Sequence, residues 1–564
     1  MKHLELGGSA VSNIDRKPHE STTRTIWQAL ENSVEQWGSR EAITFHGARV
    51  TYAEMLQHVD RLATGLLAAG IQPDDHVSII FPLCPEWIYT HYALTTIGAI
   101  VVPININYKA DEVRWVLKQG DVNAVIAADS FLNLDFLELL KSTDPALESG
   151  EVHSEQFPLI KRMFVFESGG DRGGPYTMRS LLSHEPSSDE RARLAEIRAK
   201  QTADDPAYIL FTSGSTARPK PAIVPHRAIC GVGYYQAKGC GMGEGDRFLA
   251  MLTTFHIGGV VPCIASPHSV GATTCLVPAF EPRTVLETIE RERCTASIGF
   301  DTMFTKLAGH PDFGRRDISS LKKATVACTP SAYDQLQKWY HFDCLGMTYG
   351  CTEGSSGMSL VMPGETDPEI RRNSNGRPHP GIEVRIVDTE TGQVLPPNTP
   401  GEICFRGWNR FLGYYNMPEE TAAAIDAEGF VHMGDYGWLN EQGYLYYRGR
   451  YKMMVKTGGE NVSQREVEIF LEDNIPGAEF AQVVGVPDEV WGEAVVAFIQ
   501  LRAGSTLTPE EIREHCRGKI AGFKIPKHVF ILESKDWPIL AVGRPDKHTL
   551  RKMALQRLGR EELA

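Results

Sequence analysis

Tyr208-Ile209-Leu210-Phe211 runs directly into Thr212-Ser213-Gly214-Ser215-Thr216-Ala217-Arg218-Pro219-Lys220. The apolar run predicts a buried strand. The turn after it concentrates hydroxyl side chains, one glycine and two cations, Arg218 and Lys220. Hydroxyls and backbone N–H groups wrap a polyphosphate, and cations neutralise it. A nucleoside triphosphate is therefore the ligand this chemistry points to. The Gly-x4-Gly-Lys-Ser/Thr spacing of a P-loop is absent. Ser/Thr/Gly clusters also build ordinary turns, so the loop is weighed together with what flanks it.

Upstream, apolar runs alternate with helical patterns. Val77–Phe81, Ala99–Pro103 and Ala124–Ala127 read as strands, and Trp87–Leu94 reads as a helix. This alternation predicts α/β layers around parallel strands. Residues 140–205 are charged and rich in Gly and Ser, which predicts a surface insertion. Residues 1–24 are polar and read as mobile. From 381 onward the pattern changes to strict alternation at Glu383–Val387 and Glu402–Arg406, the signature of half-buried β-strands. The last hundred or so residues read as a small α+β unit, with helices over 464–473 and 508–520 and a strand over 495–500. The fold class expected is α/β with a β-rich subdomain and a small α+β C-terminal unit.

Composition narrows the function. The chain has 564 residues and a net charge of −14, which disfavours a nucleic-acid partner. No apolar run is long enough for a membrane span, and Met1–Gly8 carries no apolar signal core. The eleven cysteines are scattered without a Cys-x-x-Cys pair, which argues against a disulfide framework or a zinc site and suits a reducing cytoplasm.

Three further segments follow the loop: Tyr349-Gly350-Cys351-Thr352-Glu353; Gly434-Asp435-Tyr436-Gly437 with Tyr444–Arg450; and Lys456–Ser463 with Glu466 and Glu468. In this order they resemble the adenylate-forming superfamily of acyl-CoA synthetases, non-ribosomal peptide synthetase adenylation domains and luciferases. The resemblance spans roughly residues 25–555. It implies a large N-terminal domain over 1–452 with the ATP and acyl sites, and a mobile C-terminal domain over 453–564 hinged at Met453, where the family usually has Asp or Lys. It also implies attack of a carboxylate on the α-phosphate of ATP, giving an acyl-adenylate and pyrophosphate, then transfer to a thiol.

Residue by residue, the resemblance implies a triphosphate loop of Thr212, Ser213, Gly214, Ser215, Thr216 and Lys220. Thr352 would contact the α-phosphate. Glu353, with Thr216, would hold Mg2+. Tyr349 would stack on adenine, Asp435 would take the ribose hydroxyls, and Arg450 and Lys456 would complete the nucleotide contacts. Phe255-His256-Ile257-Gly258-Gly259 resembles the wall of the acyl pocket, with His256 and Gly258 facing it and Cys328 and Asp301 beside it. A histidine among apolar residues is often structural, and Asp301 also reads as a helix N-cap.

The chain departs from the family at several positions. Arg544, in Val542-Gly543-Arg544, stands where the family carries a catalytic lysine, with Lys547 a displaced alternative. Arginine keeps the charge in a larger, planar fork. Ala217 and Pro221 replace loop glycines, Ala327-Cys328-Thr329-Pro330 replaces a Gly-Gly-Ala-Pro wall, and Asp301 replaces a proline. Three readings result. The first is an ATP-dependent acyl- or aryl-CoA ligase using Mg2+ and a small-molecule acid, with CoA or a carrier protein as acceptor. The second is a diazotase-like relative that activates nitrite for an aryl amine. The third is a non-catalytic nucleotide or acyl binder.

Overall fold

The structure, a computed structural model, describes residues 17–148, 150–167, 176–212, 219–450, 454–457, 460–488, 491–520, 522–540 and 545–560. For Lys456, Glu460 and Asn461 it describes the backbone alone.

The apolar run that opens the argument is the strand Pro206–Thr212, buried from Ala207 to Phe211. It lies inside an eight-stranded sheet. On one side it runs parallel to Ile100–Pro103, and on the other it pairs antiparallel with Lys220–Pro225. A second, nine-stranded sheet has a parallel centre that includes Arg247–Ala250, Ala296–Phe300, Lys323–Ala327 and Cys344–Cys351. Parallel strands covered on both faces read as continuous apolar runs, which is why they were visible in the sequence.

The helix Pro85–Thr96 is buried at every position from Trp87 to Thr96. It packs among the helices Ile26–Trp37 and Tyr52–Ala68 and the strand Ile100–Pro103. A helix apolar all round has no solvent side, and here it is a filler between layers. Among the buried histidines of the described residues, His91, His226, His268 and His379 are neutral imidazoles. Burial lowers His91 to about 3 and the other three to about 4. Unfolding lets them protonate near pH 6.5. Their contribution is therefore present above that pH and lost as pH falls toward 4. The urea midpoint is expected to drop between pH 7 and pH 5, before most carboxylates titrate. A flat midpoint over that range would contradict these assignments.

The alternating segments form a four-stranded antiparallel sheet of Ile382–Val387, Gly401–Gly407, Val431–Leu439 and Leu445–Arg450. Beyond it, Met454–Thr457, Glu460–Ser463, Ala478–Asp488, Gly492–Leu501 and His528–Ile531 form a five-stranded sheet. The helices Gln464–Asn474, Pro509–Cys516 and Lys547–Arg557 pack on that sheet around cores of their own. Ser463 Oγ donates to the Arg448 carbonyl at 2.6 Å, and Arg372 lies 3.7 Å from Asp473, so the two parts touch. No helix among the described residues is long and apolar enough to cross a membrane.

Three expectations need correction. Residues 140–205 are not a plain insertion: Arg162–Phe166 joins the eight-stranded sheet, and Met178–Leu182 and Ser188–Lys200 are helices. Ser188–Lys200 buries only Leu194 and starts from a Ser187/Glu190 capping box, so it shows almost no apolar periodicity. Residues 20–23 form a 3-10 turn with Ser21 and Thr22 buried, and His19 stacks on Tyr234 at 3.6 Å. The helix expected over 508–520 ends at Cys516, close to Gly518 at φ +71°.

Candidate active site

Three of the sheets deliver side chains to one place. In the eight-stranded sheet, Thr212 and Lys220 face each other as a strand pair at the neck of the loop read first. Trp115 Nε1 donates to the Pro219 carbonyl at 3.1 Å and ties down the loop's exit. The sheet's edge strand, Gly413–Tyr414, pairs with Lys220–Pro225 and sets Tyr414 beside that neck. Lys220 Nζ sits 5.1 Å from the Tyr414 ring centre, in cation–π range.

In the nine-stranded sheet, register aligns the carboxyl ends of neighbouring strands. Phe300 pairs with Ala327 and Val326 with Met347. Asp301 and Cys328, just past the ends of their strands, and Tyr349, near the end of the next, therefore stand on three adjacent strands. Ligands of open α/β sheets bind outside such carboxyl ends. Gly350 follows Tyr349 at a pairing irregularity, and a Cβ there would lie 1.6 Å from the Ser356 carbonyl oxygen. The chain then turns through Thr352, Glu353 and Gly354, with Ser355 and Ser356 at φ +59° and +88°. Positive φ on non-glycine residues is strained and must be held by surroundings. Ser355 Oγ donates to the Asn409 carbonyl at 2.9 Å, and Asn409 Nδ2 donates to the Gly354 carbonyl at 3.0 Å. This turn presents Glu353, 4% exposed, whose Oε1 accepts from the Tyr414 hydroxyl at 2.6 Å.

The four-stranded sheet supplies Asp435, paired in register with Arg450. Asp435 Oδ2 accepts from the Tyr349 hydroxyl at 2.6 Å. Arg450 Nε lies 3.3 Å from Oδ1, yet Oδ1 accepts no hydrogen bond among the described residues. Burial pushes Asp435 up to about 6; Arg450 and the Tyr349 hydroxyl pull it down, and Glu353 and Glu402 add to the rise. A buried carboxylate oxygen left without a donor is a site that awaits one. Vicinal hydroxyls of a ribose fit it.

Comparisons with known proteins follow this geometry. A profile of the AMP-binding enzyme family matches residues 30–415, and one for the AMP-binding enzyme C-terminal domain matches 466–538. The chain belongs to the AMP-binding enzyme family. It is 33% identical over 543 residues to the putative acyl-CoA synthetase YngI of Bacillus subtilis (strain 168), covering 94% of this chain and 97% of that one. It is 31% identical to the mitochondrial medium-chain acyl-CoA ligase ACSF2 of Danio rerio, covering 98% and 92%. Its fold is similar to that of the anthranilate CoA ligase AuaEII in complex with anthranoyl-AMP, with a TM-score of 0.80 at 22% identity over 95% of this chain and 98% of that one.

In this member of the AMP-binding family, Tyr349, Thr352, Glu353, Asp435, Arg450, Lys220 and Thr212 stand on the elements just described. His256 precedes the short helix Ile257–Val260, and a Cβ on Gly258 would meet nothing within 4 Å, so that position faces open space. Burial and then the nearby Asp301 push the Cys328 thiol well up, so it stays protonated. Asp301 is the first residue of the helix Asp301–Ala308, and its Oδ1 accepts from the Thr302 N–H at 2.7 Å. The Arg465 guanidinium interacts with it electrostatically. Lys547, the displaced alternative, is half-buried in the small unit, where its ammonium donates to Gln464 at 2.8 Å and to Glu468. Ser213, Gly214, Ser215, Thr216, Met453 and Arg544 lie outside the described residues, as does the Lys456 side chain. The sequence reading missed Tyr414. Its position is visible only through strand pairing, since it lies 61 residues from Glu353.

Proposed function

We propose that this chain is an AMP-forming acid–thiol ligase that activates a carboxylic acid with ATP and passes the acyl group to CoA. The observation that carries the nucleotide half is Asp435, buried, with Oδ1 undonated, between Tyr349 and Arg450. In this reading Asp435 accepts the ribose hydroxyls, and Lys220, Thr212 and Thr352 contact phosphate oxygens. Glu353 would hold Mg2+, which supplies charge neutralisation at the phosphates when bound. Its fit rests on a buried carboxylate aimed by the Tyr414 hydroxyl, which donates to one of its oxygens. The loop residues 213–216 and Arg544 would complete the triphosphate and carboxylate contacts. Arg544 would do so as a planar fork where a lysine offers a point charge.

The acyl half follows the relatives, whose names place them among acyl-CoA synthetases and medium-chain acyl-CoA ligases. We take the substrate to be an aliphatic acid without an amino substituent. Asp301, the carboxylate beside the pocket, already serves its own helix and faces Arg465, so it is engaged elsewhere than with a substrate amine. That speaks for the aliphatic acid over an amino-aryl partner. CoA is the acceptor favoured, with a carrier protein the other thiol. The eleven free cysteines fit a reducing compartment such as the cytoplasm.

The test is product analysis with ATP and Mg2+ against aliphatic acids, aryl acids, and nitrite with an aryl amine, each with and without CoA. AMP with an aliphatic acyl-CoA is expected. AMP formed with nitrite and without CoA, or no turnover with any acid, would overturn the proposal.

A further inference from the structure

Cysteine spacing gave no sign of a metal site, because Cys404 has no cysteine or histidine partner nearby in sequence. Strand register supplies what spacing does not. Cys404 on Gly401–Gly407 pairs directly with His432 on Val431–Leu439. Glu402, two residues before Cys404, presents its carboxylate to the same spot. One oxygen of Glu402, the Cys404 sulfur and one ring nitrogen of His432 lie within 4.8 Å of one another, the single such group of three among the described residues.

We propose that Glu402, Cys404 and His432 form a binding site for a zinc ion, separate from the nucleotide site. Three observations carry it. First, His432 Nδ1 lies 3.0 Å from Glu402 Oε2 and 3.3 Å from Cys404 Sγ. Zinc bonds of about 2.0–2.3 Å in a tetrahedron place neighbouring donors about 3.3–3.6 Å apart. The Glu402 oxygen and the Cys404 sulfur each need to shift from His432 Nδ1 by only a few tenths of an ångström, and all three donors already lie within 4.8 Å of one another. Second, the supporting contacts of a metal site are in place. His432 Nε2 faces Asp426 Oδ2 at 3.3 Å, the carboxylate that fixes a ligand histidine's tautomer and orientation. Asp426 is itself held by the Glu428 and Phe430 N–H groups at 2.9 and 2.8 Å and by Arg385 at 2.5 Å. The second oxygen of Glu402 accepts from the Gly434 N–H at 2.9 Å, which leaves Oε2 for the ion. Third, the donor set is one thiol, one imidazole and one carboxylate, which suits a borderline-soft dication over Mg2+ or Ca2+.

The cluster is reachable. The His432 and Glu402 side chains are 29% and 14% exposed, while Cys404 is buried. Solvent supplies a fourth ligand. Entry of the dication displaces the Nδ1 proton and the thiol proton, two charges for two, so the cluster's net charge is unchanged. Arg385 and Asp426 therefore keep their pairing. The ion would rivet two strands together, three residues before Asp435 on the same strand, as a brace and not as a catalyst. The competing arrangement is an imidazolium held between two carboxylates with no metal.

The test uses the full chain, stripped with chelator and titrated with Co2+ without nucleotide, so that it stands or falls apart from the ligase reading. One equivalent is expected to bind with a thiolate-to-cobalt charge-transfer band, and Zn2+ is expected to displace it. Cys404→Ser should remove the band. His432→Gln should weaken Zn2+ binding at least about tenfold, and Asp426→Asn about 10–100-fold with the band retained. Should Cys404→Ser fail to fold, Glu402→Gln and the zinc content of the purified wild-type chain carry the same question. No band in the wild type, a band that survives Cys404→Ser, or unchanged Zn2+ affinity in both His432→Gln and Glu402→Gln would overturn the site.

Discussion

Asp435→Ala is expected to weaken ATP binding by about 3 kcal/mol, roughly a hundredfold in Kd, measured by calorimetry without acid substrate. The loss has two parts. A charged acceptor for the ribose is gone, and the half-buried Arg450 guanidinium loses its partner at 3.3 Å. pH separates these parts. The acceptor role needs the carboxylate, and burial has raised its pKa to about 6. Affinity should therefore be full above pH 6 and fall as pH drops through that value in the wild type. In Asp435→Asn the same profile should be flat. Unchanged affinity in Asp435→Ala, or a wild-type profile flat from pH 7.5 to 5, would remove Asp435 from the nucleotide site.

Glu353→Gln is expected to lower kcat by about 10²–10³-fold with a smaller change in the KM for ATP. The glutamine keeps the shape and can still accept from the Tyr414 hydroxyl, so the strained turn at Ser355 and Ser356 remains supported. What is lost is the negative charge for Mg2+. Tyr414→Phe is the companion variant. It releases the 2.6 Å bond and should cost much less, with a raised Mg2+ requirement because the carboxylate is less well aimed. A Glu353→Gln enzyme with wild-type kcat and Mg2+ response would show that the metal is held elsewhere.

The parts of this protein legible in sequence are those whose signal is local. Parallel strands such as His76–Ile80 and Ala124–Ala128 are buried end to end, and the second is apolar throughout. Asp435 and Arg450 stood out because each lies in a short segment of recognisable order. The parts that stayed hidden depend on distance along the chain. Tyr349 and Asp435 are 86 residues apart, Glu353 and Tyr414 are 61, and Cys404 and His432 are 28. Strand register makes the last a pair, and the packing of one sheet against another makes the first two. Residues 140–205 misled for another reason: a solvent-facing helix such as Ser188–Lys200 has nothing to bury, so charge alone made it resemble a loop. The N-cap reading of Asp301 does not hold: Phe300 stands at the cap position and Asp301 is the first residue of the helix, with Oδ1 accepting from the Thr302 N–H.

The convergence of three separate sheets on one spot has a consequence for how the molecule comes apart. Lys220, Tyr349 and Asp435 stand on different sheets, and a nucleotide touching all of them would act as a staple between units that could otherwise melt in sequence. Its binding energy would be shared by the whole assembly: at a hundredfold excess over Kd it adds about 2.7 kcal/mol to the folded state. Denaturation that spreads over several steps in the empty chain would then sharpen into one, with substrate serving as structural cement before any chemistry begins.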